Sequence, residues 1–474
     1  MYGNTIGYMS RQECSKRLHA LLDPLREAGI LSRECHVAIY SELVSFLDAV
    51  RGDGLNGEEY WEHFQNLFDF AGGSPRITPM NAANLCPEPR GLIAVSNMLR
   101  IEYNRNVSQQ IRTAGGERVQ QLIAARKILA EGLGIKDPSD LAIVRNASEG
   151  NNAINAGYRK WSDASNVAEK DNVVLWEENH PTNLSAWRLR AEEFANIDSP
   201  VDLKSPRFNI RTVSFSPEAS DETIARAFIE QIDNHTRFVS YTEIANGSGF
   251  RIPEYVVNAI WNHVINNKLD CHVHVDGTMT WGARAVSLTD PPCHSFVSSA
   301  HKWFMGPKET GILFIRPEKT MALAPSILGY DYQIQFKEPD ELPGNAGRFE
   351  LLGQRDDVNI ISLTATQLMW NVMAPRDPAS RVLELAAALK AKLLASGWTL
   401  ITPNDPHRSG GVVRVHAPQG TRPKSLYNWL YEDAGFRVAG SGDNHTFRLC
   451  PHVYNIIEDV DQTVANMNYW KGIG

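Results

Sequence analysis

An α/β fold built on a mainly parallel sheet is predicted by two patterns in this chain. Short β-branched runs (LAIVRN, NVVLWEE, RFVSYTEI, HVHVDG, SFVSSA and GILFIRP) alternate with helical stretches such as DETIARAFIEQI and PEYVVNAIWNHVI. Short apolar strands separated by helices pair in parallel, because each crossover returns the chain to the same edge of the sheet. The second pattern is a change of character at both ends. Leu18, Leu21, Leu22 and Leu25 recur at helical spacing before a turn-rich stretch, AGGSPRITP, and after Pro343 the helix DVNIISLTATQLMWNVM leads into a smaller α+β region. The expected organisation is a helical N-terminal extension over residues 1–75, somewhat separate from a large α/β domain over 76–345, with a small C-terminal domain over 346–474.

Each element has a local reason. GERVQQLIAARKILAEGLGI is amphipathic and stops at a glycine. LAIVRN runs into ASEGNNAINAGYRKW, a strand followed by a small-residue turn and a helix, so backbone N–H groups and the Ser148 hydroxyl are offered to an anion. Taken alone, Ser148 reads more readily as an ordinary helix cap. HVHVDG puts Asp276 at the end of an otherwise apolar strand, and SFVSSAHKW ends the next one with His301 and Lys302. A lysine buried there carries its charge at a cost, which lowers its pKa and suits it to bind a carbonyl.

Composition narrows the function classes. The chain has 474 residues, 43% hydrophobic and 22% charged, with a formal net charge of -8, so neither nucleic acid nor a membrane is an expected partner. The six cysteines show no CxxC spacing and read as reduced thiols. The opening MYGNTIGYMSRQEC lacks a signal-peptide pattern and no run of about 18 apolar residues occurs, which gives a cytoplasmic reading. A dinucleotide enzyme would carry GxGxxG after an early strand, and NASEGNN is not one.

A phosphate turn, an acid at one strand end and a lysine at another together answer the needs of pyridoxal 5'-phosphate. The acid would pair with the pyridine nitrogen and the lysine would hold the aldehyde as a Schiff base. With these motifs in this order, residues 77–470 resemble the class V aminotransferase superfamily, fold-type I enzymes that include cysteine desulfurases and isopenicillin N epimerase-like proteins. The resemblance implies Ala147, Ser148 and Glu149 on the phosphate side, His180 stacked on the ring and Asn246 near the ring hydroxyl. It also implies Asp276 on the pyridine nitrogen, Ser299 and His301 on the phosphate, and Lys302 as the covalent anchor. RFELLGQ, with Gln354, resembles the stretch that reaches a partner subunit's cofactor, which implies a homodimer with sites at the interface. Arg448 would clamp the substrate carboxylate beside Asn84, and no metal is called for.

Departures from the family pattern surround the substrate. Desulfurases carry a nucleophilic cysteine shortly before the C-terminal arginine; here RVAGSGDNHT, between Arg437 and Phe447, has none. Met279 stands where relatives have a ring-hydroxyl donor, Gln354 where they have threonine, and Asn84 where they have a smaller hydroxyl residue. The expected activity is a lyase or related Cα/β-carbon reaction on an amino acid, in specialised metabolism. An aminotransferase or epimerase is the alternative reaction, and a catalytically silent scaffold the alternative without one.

Overall fold

The architecture was read from a computed structural model, which describes residues 8–73, 76–105, 107–112, 117–162, 166, 169–197, 206–329, 344–416, 423–440 and 446–473. Residues 74–75 of the turn-rich stretch, Pro343, and 441–445 of the segment before Arg448 lie outside the described residues. Seven strands make the central sheet: β1 (Leu141–Val144), β2 (Asn172–Trp176), β3 (Asn209–Val213), β4 (Thr236–Thr242), β5 (His272–Asp276), β6 (Ser295–Ser299) and β7 (Gly311–Ile315). Their order is β1-β7-β6-β5-β4-β2-β3, parallel except that β7 runs against both neighbours. The carboxyl ends of β1, β2, β4, β5 and β6 therefore share one edge, where α/β sheets bind ligands.

One strand was not anticipated. NIRTV (β3) is half exposed along most of its length, because it is the sheet's edge, and its polar residues mask the apolar run that marks a strand.

The helices distribute differently from the sequence expectation. α1 (Arg11–Glu27) and α2 (Arg33–Arg51) start at Ser10 and Ser32, whose hydroxyls accept from the N–H of Glu13 and Cys35. With α3 (Gly57–Gln65) they join one apolar core with α4 (Arg90–Arg105), α5 (Glu117–Gly132) and the sheet, so the extension is not separate. After α6 (Ala147–Gly157) and the sheet comes α7 (Asp357–Met373), whose buried residues belong to that same core rather than to the C-terminal one. The smaller core runs from Leu385 on α8 (Pro378–Ala395) to Met467 on α9 (Ile457–Ile473) and takes in Met80 from the start of the chain. Its sheet is antiparallel, β8 (Val413–His416), β9 (Ala439–Gly440) and β10 (Thr446–Leu449), ordered β9-β10-β8.

All six cysteines are unpaired. Among the described residues no helix is long and apolar enough to cross a membrane.

α6 lies hard against the sheet at Gly150, where a Cβ would come within 2.3 Å of Val297 Cγ2. Gly150→Ala is therefore expected to lower stability by about 1–3 kcal/mol through overpacking. The check is the midpoint of thermal unfolding, and an unchanged midpoint would mean that α6 can lift without cost.

Candidate active site

A cavity of about 130 Å³ opens at the carboxyl edge of the sheet. Its walls bring together Ala147 and Ser148 from the start of α6, His180 after β2, Asn246 after β4, Asp276 closing β5, and Ser299, His301 and Lys302 at the end of β6. A larger cavity of about 270 Å³, walled by Tyr8, Trp281, Phe304, Gln367 and Trp370, holds none of the site residues expected from the sequence. The residues expected from the sequence gather in the smaller one.

The turn after β6 fixes the lysine. Met305 N–H donates to Lys302 O (2.9 Å) and Gly306 N–H to Ala300 O (2.8 Å), with Met305 at φ 57. The Phe304 ring stacks on Trp281 at 3.6 Å, and the Phe304 carbonyl accepts from Trp370 Nε1–H. Cys86 N–H donates to the His301 carbonyl, tying the NAANLC loop to this turn. Burial brings the Lys302 amine down to about 8; Asp276 opposes that shift and Arg448 adds to it. Its lowered pKa gives this amine a larger neutral, nucleophilic fraction near physiological pH than an ordinary lysine has.

Asp276 accepts at both oxygens, from Thr278 N–H (3.0 Å) and Asn151 Nδ2 (3.0 Å), the pattern of a carboxylate. His180 Nδ1 faces Thr182, whose N–H donates to it at 3.2 Å, so the neutral ring carries its proton on Nε2. Burial first, then the Lys302 charge, lowers the pKa of this imidazole.

The phosphate turn departs from expectation at two residues. Asn146, not Ser148, caps α6: its side chain accepts from Glu149 N–H. The Glu149 carboxylate turns back to Arg145, accepting from its backbone N–H at 2.6 Å and pairing with its guanidinium at 3.0 Å. Glu149 is thus outside the cavity, and Ala147 and Ser148 represent the turn there. The N-A-S-E spacing, a cap residue with an acid three positions on, is the signal that identifies this arrangement in sequence. Ser299 Oγ accepts from Ala147 N–H at 2.8 Å, which leaves its own proton to donate.

Arg448 and Asn84 do not line the cavity but close on it through Asn246. Arg448 Nη1 donates to both oxygens of Asn246, and Nη2 to Asn84 Oδ1 at 2.6 Å. These partners are neutral, so the guanidinium charge is aimed without being cancelled. Asn246 spends its oxygens on Arg448 and keeps an amide nitrogen for the cavity. Met279 Sδ, at the position of the usual ring-hydroxyl donor, accepts from Trp303 Nε1–H. Gln354 is exposed and lies outside the cavity of its own chain.

Sequence reasoning missed Asn151, His272 and His274. The strand HVHVD is not otherwise apolar: residues 272, 274 and 276 alternate onto one face, and that period of two was the available signal.

The donor set fits pyridoxal phosphate. Two polar atoms of the cavity, His301 Nδ1 and Thr278 Oγ1, are buried with no hydrogen-bond partner among the described residues, and such atoms call for a polar guest. A helix start with hydroxyls beside it, a carboxylate and a weakly basic lysine meet the three polar parts of that molecule.

The family described as aminotransferase class-V matches residues 86–462, most of the chain. The chain belongs to the class V aminotransferase family. Class V aminotransferases work with pyridoxal phosphate, and this chain is a pyridoxal phosphate-dependent enzyme. One relative, isopenicillin N epimerase of Amycolatopsis lactamdurans, is 22% identical over 82% of this chain and 94% of that protein. Isopenicillin N epimerase of Streptomyces clavuligerus is 26% identical over 42% of this chain and 52% of its own length. Cysteine desulfurase of Klebsiella pneumoniae (strain 342) is 26% identical over 53% and 56%. The match thus spans about half the length of these last two. Among solved structures, cysteine desulfurase from Thermococcus onnurineus NA1 superposes with a TM-score of 0.68 at 19% identity, covering 84% of this chain and 96% of that one. The cystine C–S lyase C-DES, in complex with its product cysteine persulfide, gives 0.70 at 18%, covering 84% and 99%. At these identities the two structures establish the fold, the mainly parallel sheet with a smaller C-terminal sheet.

Proposed function

We propose that Lys302 is the Schiff-base lysine of a lyase acting at Cα and Cβ of an amino acid. The observation that carries this reading is the Lys302 amine itself, held in the turn after β6, its pKa brought down to about 8, and sharing one cavity with Asp276 and His180. Bound pyridoxal phosphate supplies an electrophilic carbon for amines and a ring that takes up the electron pair released at Cα.

The chain's own groups do the rest. Asp276 holds the pyridine N–H, and the neutral His180 ring covers one face. Ala147, Ser148, Ser299 and His301 take the phosphate, and the Asn246 amide nitrogen stands near the ring hydroxyl in place of the donor that Met279 lacks. Lys302, whose lowered pKa makes its neutral form accessible at working pH, removes the Cα proton and can deliver it to a departing β-substituent. Arg448, steadied by Asn84 and Asn246, receives the substrate carboxylate on two N–H groups. In a homodimer Gln354, exposed on its own chain, would reach the site of the second copy.

A persulfide on the enzyme is not part of this scheme. Cys86 and Cys450, the cysteines nearest the substrate side, are buried, and burial raises both thiol pKa values, so neither offers a thiolate. The departing group leaves for solvent.

Amino acids bearing a β leaving group should yield ammonia and a keto acid without any amino acceptor. Strict dependence on a second keto acid would establish an aminotransferase instead, and inversion at Cα alone an epimerase. Arg448→Lys, which keeps the charge and loses the fork, is expected to raise KM for the amino acid about tenfold or more, with the visible band of the bound cofactor unchanged. An unchanged KM would remove Arg448 from the substrate site.

A further inference from the structure

Behind Asp276 runs a line of polar side chains that the scheme above leaves unused. Ser295 on β6 is the Cα partner of His274 on β5, and Asn151 on α6 reaches His274 and Asp276. Asn151, His272, His274, Asp276 and Ser295 are each at most 4% exposed. Asn151 Nδ2 donates to Asp276 Oδ2, and Asn151 Oδ1 lies 2.8 Å from His274 Nε2. Ser295 Oγ lies 2.7 Å from His274 Nδ1 and 2.7 Å from His272 Nε2.

The charge on Asp276 fixes every proton in this line. A carboxylate only accepts, so Asn151 must turn its nitrogen toward Asp276 and its oxygen toward His274. That oxygen needs a donor, which puts the His274 proton on Nε2. The bare Nδ1 then accepts from Ser295 O–H, and the Ser295 oxygen accepts from His272 Nε2–H. Both imidazoles are neutral: burial takes His274 down to about 4 and His272 well below the ordinary histidine value. A proton donated from Asp276 Oδ2 toward Asn151 would demand the reverse polarity, with the Asn151 amide flipped and both histidine tautomers exchanged inside a buried layer.

We infer that Asn151 and His274, backed by Ser295 and His272, are positioning residues whose one-way hydrogen-bond line keeps Asp276 a carboxylate aimed at the cofactor's pyridine nitrogen. The inference rests on the reading of Asp276 as that partner. Polar residues gathered only to satisfy one another would have no reason to hold a single direction.

Neutron diffraction from crystals of the full-length protein, with and without pyridoxal phosphate, reads the direction itself. The expected result is deuterium on Nε2 of His274 and of His272, with the Asn151 nitrogen facing Asp276. Deuterium on His274 Nδ1 instead, or on both its nitrogens, overturns the inference. Because the cofactor-free crystal is read as well, failure here is distinct from failure of the Lys302 assignment, which cofactor attachment tests. As a second measure, His274→Leu is expected to weaken pyridoxal phosphate binding about tenfold, since Asn151 loses its donor. His274→Gln keeps a donor for Asn151 and an acceptor for Ser295 and should stay within about threefold. Equal affinity in all three proteins, or a glutamine variant no better than leucine, overturns the inference. Should the leucine variant not fold, the neutron result still decides.

Discussion

Lys302→Ala is expected to lose at least about a thousandfold in turnover, because one residue supplies both the covalent anchor and the proton carrier. The variant should also lack the visible band of the lysine-bound cofactor while still binding pyridoxal phosphate through the phosphate turn and Asp276. The depressed amine adds a pH signature. Uptake of pyridoxal phosphate by the cofactor-free protein needs the neutral amine, so its rate should rise with pH and level off above about 8, instead of climbing toward the ordinary lysine value of 10.5. The same shift acts on stability with the opposite sense. A lysine whose pKa is lower folded than unfolded disfavours the folded state wherever the amine is charged in both. That cost is complete below about 8 and fades as pH rises toward 10.5. Lys302→Met should therefore make the cofactor-free protein more stable at neutral pH, by a few kcal/mol at most, while abolishing activity. Denaturant titration of the two proteins at neutral pH and at pH about 10 checks this: the gap between them should narrow at the higher pH.

Asp276→Asn should cost roughly a hundred- to thousandfold in turnover, by removing the negative charge opposite the pyridine nitrogen. The substitution keeps the shape of the side chain, so the loss is electrostatic. Its amide also meets a problem of direction. Thr278 N–H and Asn151 Nδ2 both donate to position 276, and an amide has only one oxygen to accept them. Either Asn151 flips or two N–H groups confront each other in a buried layer, so Asp276→Asn should be less stable than the parent as well as slower. Asp276→Glu keeps the charge, displaces it by one methylene, and should recover part of the rate. Steady-state kinetics beside thermal unfolding separate the two effects. A variant with full activity would take Asp276 out of the cofactor site.

What the sequence made legible were groups that the strand ends place by themselves. Asp276 and Ser299 close adjacent strands, Lys302 follows in the turn after the second, and parallel pairing carries them to one edge. Edge strand β3 was hidden because exposure on one side lets polar residues replace the apolar run. The N-terminal helices read as a separate appendage because amphipathic spacing reports which face is buried and is silent about the partner; theirs is the sheet domain and α7.

Two further features differ in kind. Glu149 was assigned to the phosphate through resemblance, while its spacing from Asn146 already described a capped helix start. The grip of Arg448 on Asn246 and Asn84 joins residues about 200 and more than 360 positions apart, and no local pattern encodes such a contact. The histidines of β5 were visible letters in HVHVD whose meaning depends on Ser295 and Asn151, one supplied by the neighbouring strand and the other by α6.

The central claim is that Lys302 carries the cofactor, and borohydride reduction of the yellow protein followed by peptide mass mapping tests it most directly. Reduction makes the lysine–cofactor bond permanent, so the label can be located by residue. The account predicts one pyridoxyl group per chain, on the peptide containing Lys302 and at that lysine. A label on a neighbouring lysine such as Lys308, or a protein that takes up pyridoxal phosphate and yields no labelled lysine, would contradict it.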